Sequence, residues 1–369
     1  MKNIVCIPTY NRPELLPITV ESILKDPTNP GLPIFVSSDS NPKYKTEELE
    51  RLKTLCNRGP SKIYYIDTEK SDPYKRELQE KSGVSKEVID ALMKGGSAAE
   101  NRNRLLLLAC TYDVDGVILL DDDMEVKEGF IEYHEMALGN TVSEFLSKLN
   151  NYRKLEKIGN SFLKRSDLKK TIQAFSAGWG NYGCGKLKLE FVRESDRLDG
   201  ANLSLTRWLI DAVPFPIIYH DEDYSLGLIA KHIVKSINGT VIKGEYITSI
   251  HRIPRSVALM GELQKADLHG YQNLINTFEY AIKFVPLHKG KNYGKELVHM
   301  MGKKIPFIVG TSRTQEDLLW VEKHHGKKIL ELLKENMHNT SVLYENWFRL
   351  TDAAKKIDSS ILEEFLVTK

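Results

Sequence analysis

The sequence is poor in the features that mark several protein classes. It has only four cysteines, Cys6, Cys56, Cys110 and Cys184, in 369 residues. They are widely spread with no CxxC pair, which excludes a disulfide framework or a cysteine-built zinc site and predicts reduced, mostly buried thiols. Long apolar runs are missing too: Leu105 to Cys110 is among the longest, far short of the roughly 18 residues of a membrane span. The opening MKNIVCIPTYNRPELL lacks the basic head, apolar middle and small-residue cleavage site of a secretory leader. Neither sign of charge dominates: 52 Lys and Arg against 50 Asp and Glu leave +2, which argues against a dedicated nucleic-acid binder. With 41% hydrophobic residues and 24 glycines the chain is neither disordered nor collagen-like. These absences leave a soluble, cytoplasmic protein with one large core or two modest ones.

What is present is an alternation of strand and helix signals. Asn3 to Ile7 is a β-rich apolar run that meets a Pro-Thr-Tyr-Asn-Arg-Pro turn, and a helical pattern follows (Leu15, Leu16, Val20, Ile23, Leu24). Pro33 to Ser37, Ser61 to Ile66 and Val117 to Leu120 predict three more strands, the last ending at Asp121-Asp122-Asp123. Strands alternating with helices predict a mostly parallel central sheet with helices on both faces, and such sheets bind ligands at the carboxyl ends of their strands. Glu69 to Lys94 reads as a charged helical stretch, Ala98 to Ala109 as a strong helix, and Thr141 to Lys170 as a lysine-rich helix pair. After about residue 255 the β signal fades, so the chain divides into an α/β domain, 1–255, and a helical C-terminal extension, 256–369.

The acidic triplet is the most informative motif. Three adjacent carboxylates repel one another, so the fold must supply a cation. In an extended segment Asp121 and Asp123 point the same way, and hard oxygen ligands favour Mg²⁺ or Mn²⁺ bridged to phosphates. Taken alone, the triplet also fits a solvated acidic turn. A second cluster, His220-Asp221-Glu222-Asp223, precedes a helix start, where acids can serve as caps or as a general base. Arg102 and Asn103, after Gly95-Gly96, could meet a phosphate; with Arg104 they could equally form a solvated helix face. In Ser176 to Gly185, Trp179 and Tyr182 suit either sugar stacking or core packing.

These fragments fall in an order that resembles family 2 glycosyltransferases with the GT-A fold. The order runs Ile7-Pro8-Thr9-Tyr10-Asn11-Arg12, Ser38-Asp39, Asn101-Arg102-Asn103, Leu120-Asp121-Asp122-Asp123, Gly200-Ala201-Asn202, then Glu222-Asp223 with Leu226-Gly227. The resemblance covers residues 1–255 and implies a Rossmann-like domain that moves one sugar from a nucleotide-diphosphate donor, UDP being favoured, to an acceptor hydroxyl. On that resemblance Pro8, Thr9 and Tyr10 contact the nucleobase in the segment that includes Arg12. Asp39 binds base or ribose and Arg102 the diphosphate, and Asp122 lies among the donor-binding acids. Asp121 lies near ribose and metal, Asp123 ligates Mn²⁺ or Mg²⁺, and His251 completes the metal shell. Asp223 is the base, Glu222 helps position the acceptor, and Gly200, Ala201 and Asn202 line the donor-sugar region.

The implied acceptor is a glycan, a glycolipid or a small hydroxyl compound. The lysines between Ala281 and Lys304 also admit peripheral contact with an anionic membrane surface. A QxxRW signature after Glu222-Asp223 is absent, which favours single transfer over polymer synthesis. Inversion with Asp223 as base is the reading adopted. The alternatives are a retaining GT-A enzyme, a sugar-1-phosphate nucleotidyltransferase, for which a glycine-rich N-terminal phosphate loop is missing, and a non-catalytic sugar-nucleotide binder.

Overall fold

The computed structural model describes residues 1–56, 58–67, 71–94, 97–153, 166–181, 192–195, 198–217, 222–251, 322–323 and 327–368. Strand β1 (Asn3–Thr9) leads through α1 (Leu16–Lys25) to β2 (Ile34–Ser38), then through α2 (Pro42–Lys53) to β3 (Ile63–Asp67). Helices α3 (Asp72–Ser82), α4 (Lys86–Lys94) and α5 (Ala98–Thr111) follow. The single charged helical stretch expected up to Lys94 is therefore two helices. Gly83, at φ +60°, ends the first of them in the left-handed conformation that favours glycine.

Strand β4 (Gly116–Leu120) runs into the acidic triplet and a short β5 (Met124–Val126), followed by α6 (Phe130–Ala137) and α7 (Val142–Arg153). Next come β6 (Thr171–Asn181), β7 (Val192–Glu194), β8 (Asn202–Thr206), α8 (Arg207–Ala212), α9 (Glu222–Ile233) and β9 (Gly239–His251). Helix α10 (Lys327–Ala354) and a 3-10 turn at Ser359–Phe365 close the chain. Among the described residues nine strands form one sheet in the order β3-β2-β1-β4-β8-β6-β9-β5, with β7 paired to β9.

The sheet is mixed. Strands β3, β2, β1 and β4 are parallel, as the strand–helix alternation predicts. Strand β8 then pairs antiparallel with both β4 and β6, while β6 and β9 are parallel. Antiparallel strands beside a parallel core are common in doubly covered sheets. The carboxyl ends of β1, β2 and β4 still lie together, and the antiparallel pairing of Leu120 with Asn202 brings the start of β8 to the same edge.

Side-chain alternation explains why both faces are covered. Val5, Ile7, Ile34, Val36, Ile118 and Leu120 pack with α1, α2 and α6, whereas Ile4, Cys6, Phe35, Val117 and Leu119 pack with α3, α5, α8 and α10. The described C-terminal part belongs to that second layer. Trp347 is fully buried and its indole N–H donates to Ile210 O at 2.7 Å; the Tyr344 hydroxyl donates to Pro214 O at 3.0 Å. The last residues return to β3, where Val367 N–H donates to Ile63 O. The end of the expected helix pair is a 3-10 turn, Asp167–Lys169. The lysine-rich segment between Ala281 and Lys304 and residues 154–165 of that pair lie outside the described residues. So do Tyr182 and the glycines after Asn181; the first half of that glycine-rich segment is strand β6. No helix among the described residues is long and apolar enough to cross a membrane.

Candidate active site

The site is built on strand ends. β1 stops at Thr9, and Asn11, at φ +56°, turns the chain sharply. The turn is pinned to the end of β2, with Asn11 N–H donating to Ser40 Oγ at 2.6 Å and Asn41 N–H donating to Asn11 Oδ1 at 2.8 Å. Tyr10 at this corner is 61% exposed, which leaves its ring available to a planar ligand, and Pro8 sits in register with Ser37 in the buried strand below.

The acidic triplet does not continue β4 as an extended segment. Met124 N–H donates to Asp121 O at 3.3 Å, closing a turn, so the expected common direction of Asp121 and Asp123 is corrected: the turn sends them to different partners. Asp122 and Asp123 are buried and share one cation, Arg12, whose Nη1 lies 2.8 Å from Asp122 Oδ1 and 2.5 Å from Asp123 Oδ2. Thr9 Oγ1 donates to Asp122 Oδ2 at 2.7 Å, and Thr19 Oγ1 donates to the Asp122 carbonyl at 2.8 Å. Burial pushes the Asp122 carboxyl up to about 7, with Arg12 opposing and Asp123 and Asp121 adding to the rise.

Asp121 turns instead to α5. Arg102 Nη2 donates to Asp121 Oδ1 at 2.7 Å, and its Nη1 pairs with Glu222 at the start of α9. Arg102, expected near a diphosphate, joins two acids distant in sequence and is buried between these carboxylates, beneath Gly200. A Cβ on Gly200 would stand 2.8 Å from Arg102 Nη2, so any side chain here would have to push the guanidinium aside. Gly200 N–H donates to Asp223 Oδ2 at 2.5 Å, which links the same backbone to the second acid of α9. Glu222 is buried and Asp223 partly exposed.

Ala201 O accepts from Asp121 N–H at 3.4 Å, placing Gly200 and Ala201 against the acidic turn. Asn202 departs from expectation. It is fully buried and its Oδ1 lies 2.7 Å from His134 Nε2, so its side chain faces the core rather than a donor sugar. His251 falls in β9 opposite Met124, the residue after Asp123; the register thus returns it to the acidic turn. Asp221 and Gly95-Gly96 lie outside the described residues.

Helix α5 starts with a capping box, Ser97 Oγ accepting from Glu100 N–H at 3.2 Å. Its Arg102 and Arg104 are both buried, contrary to a solvated helix face. Arg104 donates to Ser37 Oγ at 2.9 Å, to Met93 O at 2.9 Å and to Asp39 Oδ1 at 2.5 Å. Asp39, expected on base or ribose, is thus held in place at the end of β2 by an arginine. Asn101 Nδ2 donates to Ser37 O at 2.9 Å, and Asn103 brackets Phe215 by accepting from its N–H and donating to its carbonyl.

Glu48 escaped the sequence reading. It is fully buried below the strand ends. Its carboxylate accepts from Ser40 Oγ at 2.7 Å, Ser38 Oγ at 2.8 Å, the Tyr65 hydroxyl at 2.8 Å and Arg12 N–H at 3.4 Å. It gathers the loops after β1 and β2 onto β3. The signal available was its spacing from Lys45 and Leu52, which share the buried face of α2.

Among the described residues, no three His, Cys, Asp or Glu side chains already form a metal cage. The donor chemistry nevertheless fits a divalent ion. Among the described residues, Asp121, Asp122, Asp123, Glu222 and Asp223 gather at this edge, where the guanidinium groups of Arg12 and Arg102 bridge them. All these donors are hard carboxylate oxygens, the kind that suits Mg²⁺ or Mn²⁺.

No family model matches the chain, and no curated protein matches it. Solved structures are similar to it in outline. A mannosyltransferase from Pyrobaculum calidifontis in complex with GDP-Man and Mn²⁺ aligns over 98% of this chain and 86% of its own, at 11% identity and TM-score 0.44. TarS 1-349 from S. aureus in complex with UDP aligns over 95% and 91%, at 14% identity and TM-score 0.43. Glucosyl-3-phosphoglycerate synthase from Mycobacterium tuberculosis, with Mn²⁺, UDP-Glc and phosphoglyceric acid, aligns over 74% and 80%, at 16% identity and TM-score 0.41. At these values the likeness is one of outline and extends to no residue of the site.

Proposed function

We propose that the chain is a metal-dependent glycosyltransferase that moves one sugar from a nucleoside-diphosphate sugar, UDP being favoured, to an acceptor hydroxyl with inversion. The observation that carries this reading is the junction made by Arg102. Through it the acidic turn after β4 and the Glu222-Asp223 pair at the start of α9 meet at the carboxyl edge of the sheet, the edge at which α/β sheets bind ligands.

The roles follow from the surroundings of each group. Asp123 would hold Mn²⁺ or Mg²⁺ with the adjacent Asp122, His251 being in register with the next residue, Met124, while Asp121 would reach the ion only on leaving Arg102; the ion would supply positive charge for the departing diphosphate. Tyr10 and Asp39 line the end where the nucleoside would lie, Tyr10 exposed and Asp39 oriented by Arg104. Glu222 is committed to Arg102 and buried, so Asp223 is the acid of the pair that faces an acceptor. A carboxylate within hydrogen-bond reach takes the proton of the attacking hydroxyl, typically a contribution of about 10² to 10⁴ in rate. Asp223→Asn should therefore lower sugar transfer by about 10² or more and leave metal-dependent nucleotide binding within about threefold of wild type. Rates near wild type in a folded D223N variant would remove Asp223 from this role.

A further inference from the structure

The three arginines of the site differ in how they are held. Arg102 and Arg104 have side chains 6% and 0% exposed and are enclosed by helix, sheet and loop. Arg12 has a side chain 41% exposed, yet its Nη1 reaches between Asp122 and Asp123, whose side chains are 6% and 4% exposed. It enters from the solvent side and occupies the point between two buried carboxylates where a small cation would sit. Its backbone is fixed independently of its side chain: Arg12 N–H is held by Glu48, and the neighbouring Asn11 by Ser40 and Asn41. The guanidinium can therefore leave without unravelling the loop.

Leaving has opposite consequences for the two sides. A side chain already 41% exposed regains water at modest cost. Two buried carboxylates that lose this shared guanidinium are penalised. The exchange is favourable only when another positive charge takes the same place. We infer that Arg12 is a resident counter-cation of the Asp122–Asp123 pair and that a divalent ion binds by displacing it. This inference rests on the proposed metal role of Asp123. The site then keeps its charge compensated when empty, and its affinity for bare metal is held down by the competing guanidinium.

The test uses the full-length protein and Mn²⁺ alone, with free Mn²⁺ followed by electron paramagnetic resonance. Arg12→Met, which keeps the aliphatic stem and removes the charge, should bind Mn²⁺ about tenfold more tightly than wild type. Arg12→Lys, which keeps the charge, should stay within about threefold of wild type. Without metal, Arg12→Met should melt below wild type, and saturating Mn²⁺ should close the gap. If Arg12→Met folds only with Mn²⁺ present, the exchange is supported, and Arg12→Gln then supplies the affinity comparison. Equal or weaker Mn²⁺ binding by a folded Arg12→Met or Arg12→Gln variant would overturn the inference.

Asp123→Asn separates this failure from failure of the metal site. If Asp123→Asn weakens Mn²⁺ binding while the Arg12 variants match wild type, the site stands and the exchange falls. If wild type binds no Mn²⁺, or Asp123→Asn binds it unchanged, the metal site and the exchange fall together.

Discussion

His134 shows how a single buried group ties the site's scaffold to pH. Its ring is enclosed by Phe130 and Phe175, with Nε2 2.7 Å from Asn202 Oδ1 and Nδ1 2.9 Å from Ser204 Oγ. Because the amide oxygen accepts, Nε2 carries the proton, and the unprotonated Nδ1 lies against the serine hydroxyl. Burial pulls the imidazole down from 6.5 to about 4. The unfolded chain therefore takes up a proton near pH 6.5 that the folded chain refuses until about pH 4. The resulting stability is present above pH 6.5 and disappears as pH falls towards 4, about 3 kcal/mol in all. Urea unfolding of wild type and His134→Gln from pH 8 to 4 checks this: the variant should lose less stability across pH 6.5 to 4. Equal slopes would contradict it.

The same scale explains which residues could be read in advance. Asp121 to Asp123 and Glu222-Asp223 stand out because adjacent like charges are costly wherever they fall. Glu48 does not stand out, and the roles of Arg104 and Asn202 are not readable in advance, because their meaning lies in partners distant in sequence, such as Ser38, Asp39 and His134. An arginine on a helix reads as solvated until another helix is known to cover it.

At the scale of elements, the parallel order of β1 to β4 follows from short apolar runs separated by helices, and the alternation of each strand between two helical layers follows from covering both faces. The antiparallel insertion of β8 between β4 and β6 was not legible. Nothing in Asn202 to Thr206 distinguishes a parallel strand from an antiparallel one, since both are buried on two faces. The placement of α10 was equally hidden: its amphipathic pattern states that one face is covered, not by what. Trp347, Leu350 and Ala354 fill the layer beside α5 and α8, and Thr340 accepts from Ile217 N–H at 2.9 Å, near the chain leading to α9. Trp347→Ala should cost about 3–5 kcal/mol in urea unfolding. A loss below about 1 kcal/mol would show that α10 is peripheral to the core.

Over the whole molecule, a net charge of +2 conceals a segregated distribution. Carboxylates crowd the carboxyl edge of β4 and the start of α9, and arginines are drawn in to meet them. Such a gathering of hard oxygen donors suits a cation together with a ligand that shares it. The most direct measurement is thermal unfolding of the full-length protein against a panel of nucleoside-diphosphate sugars, each with and without Mn²⁺. A metal-dependent donor site predicts that at least one donor raises the melting temperature by about 5 °C or more near a hundredfold excess over Kd, and only when Mn²⁺ is present. No stabilisation by any donor with Mn²⁺, or the same stabilisation without it, would contradict the account.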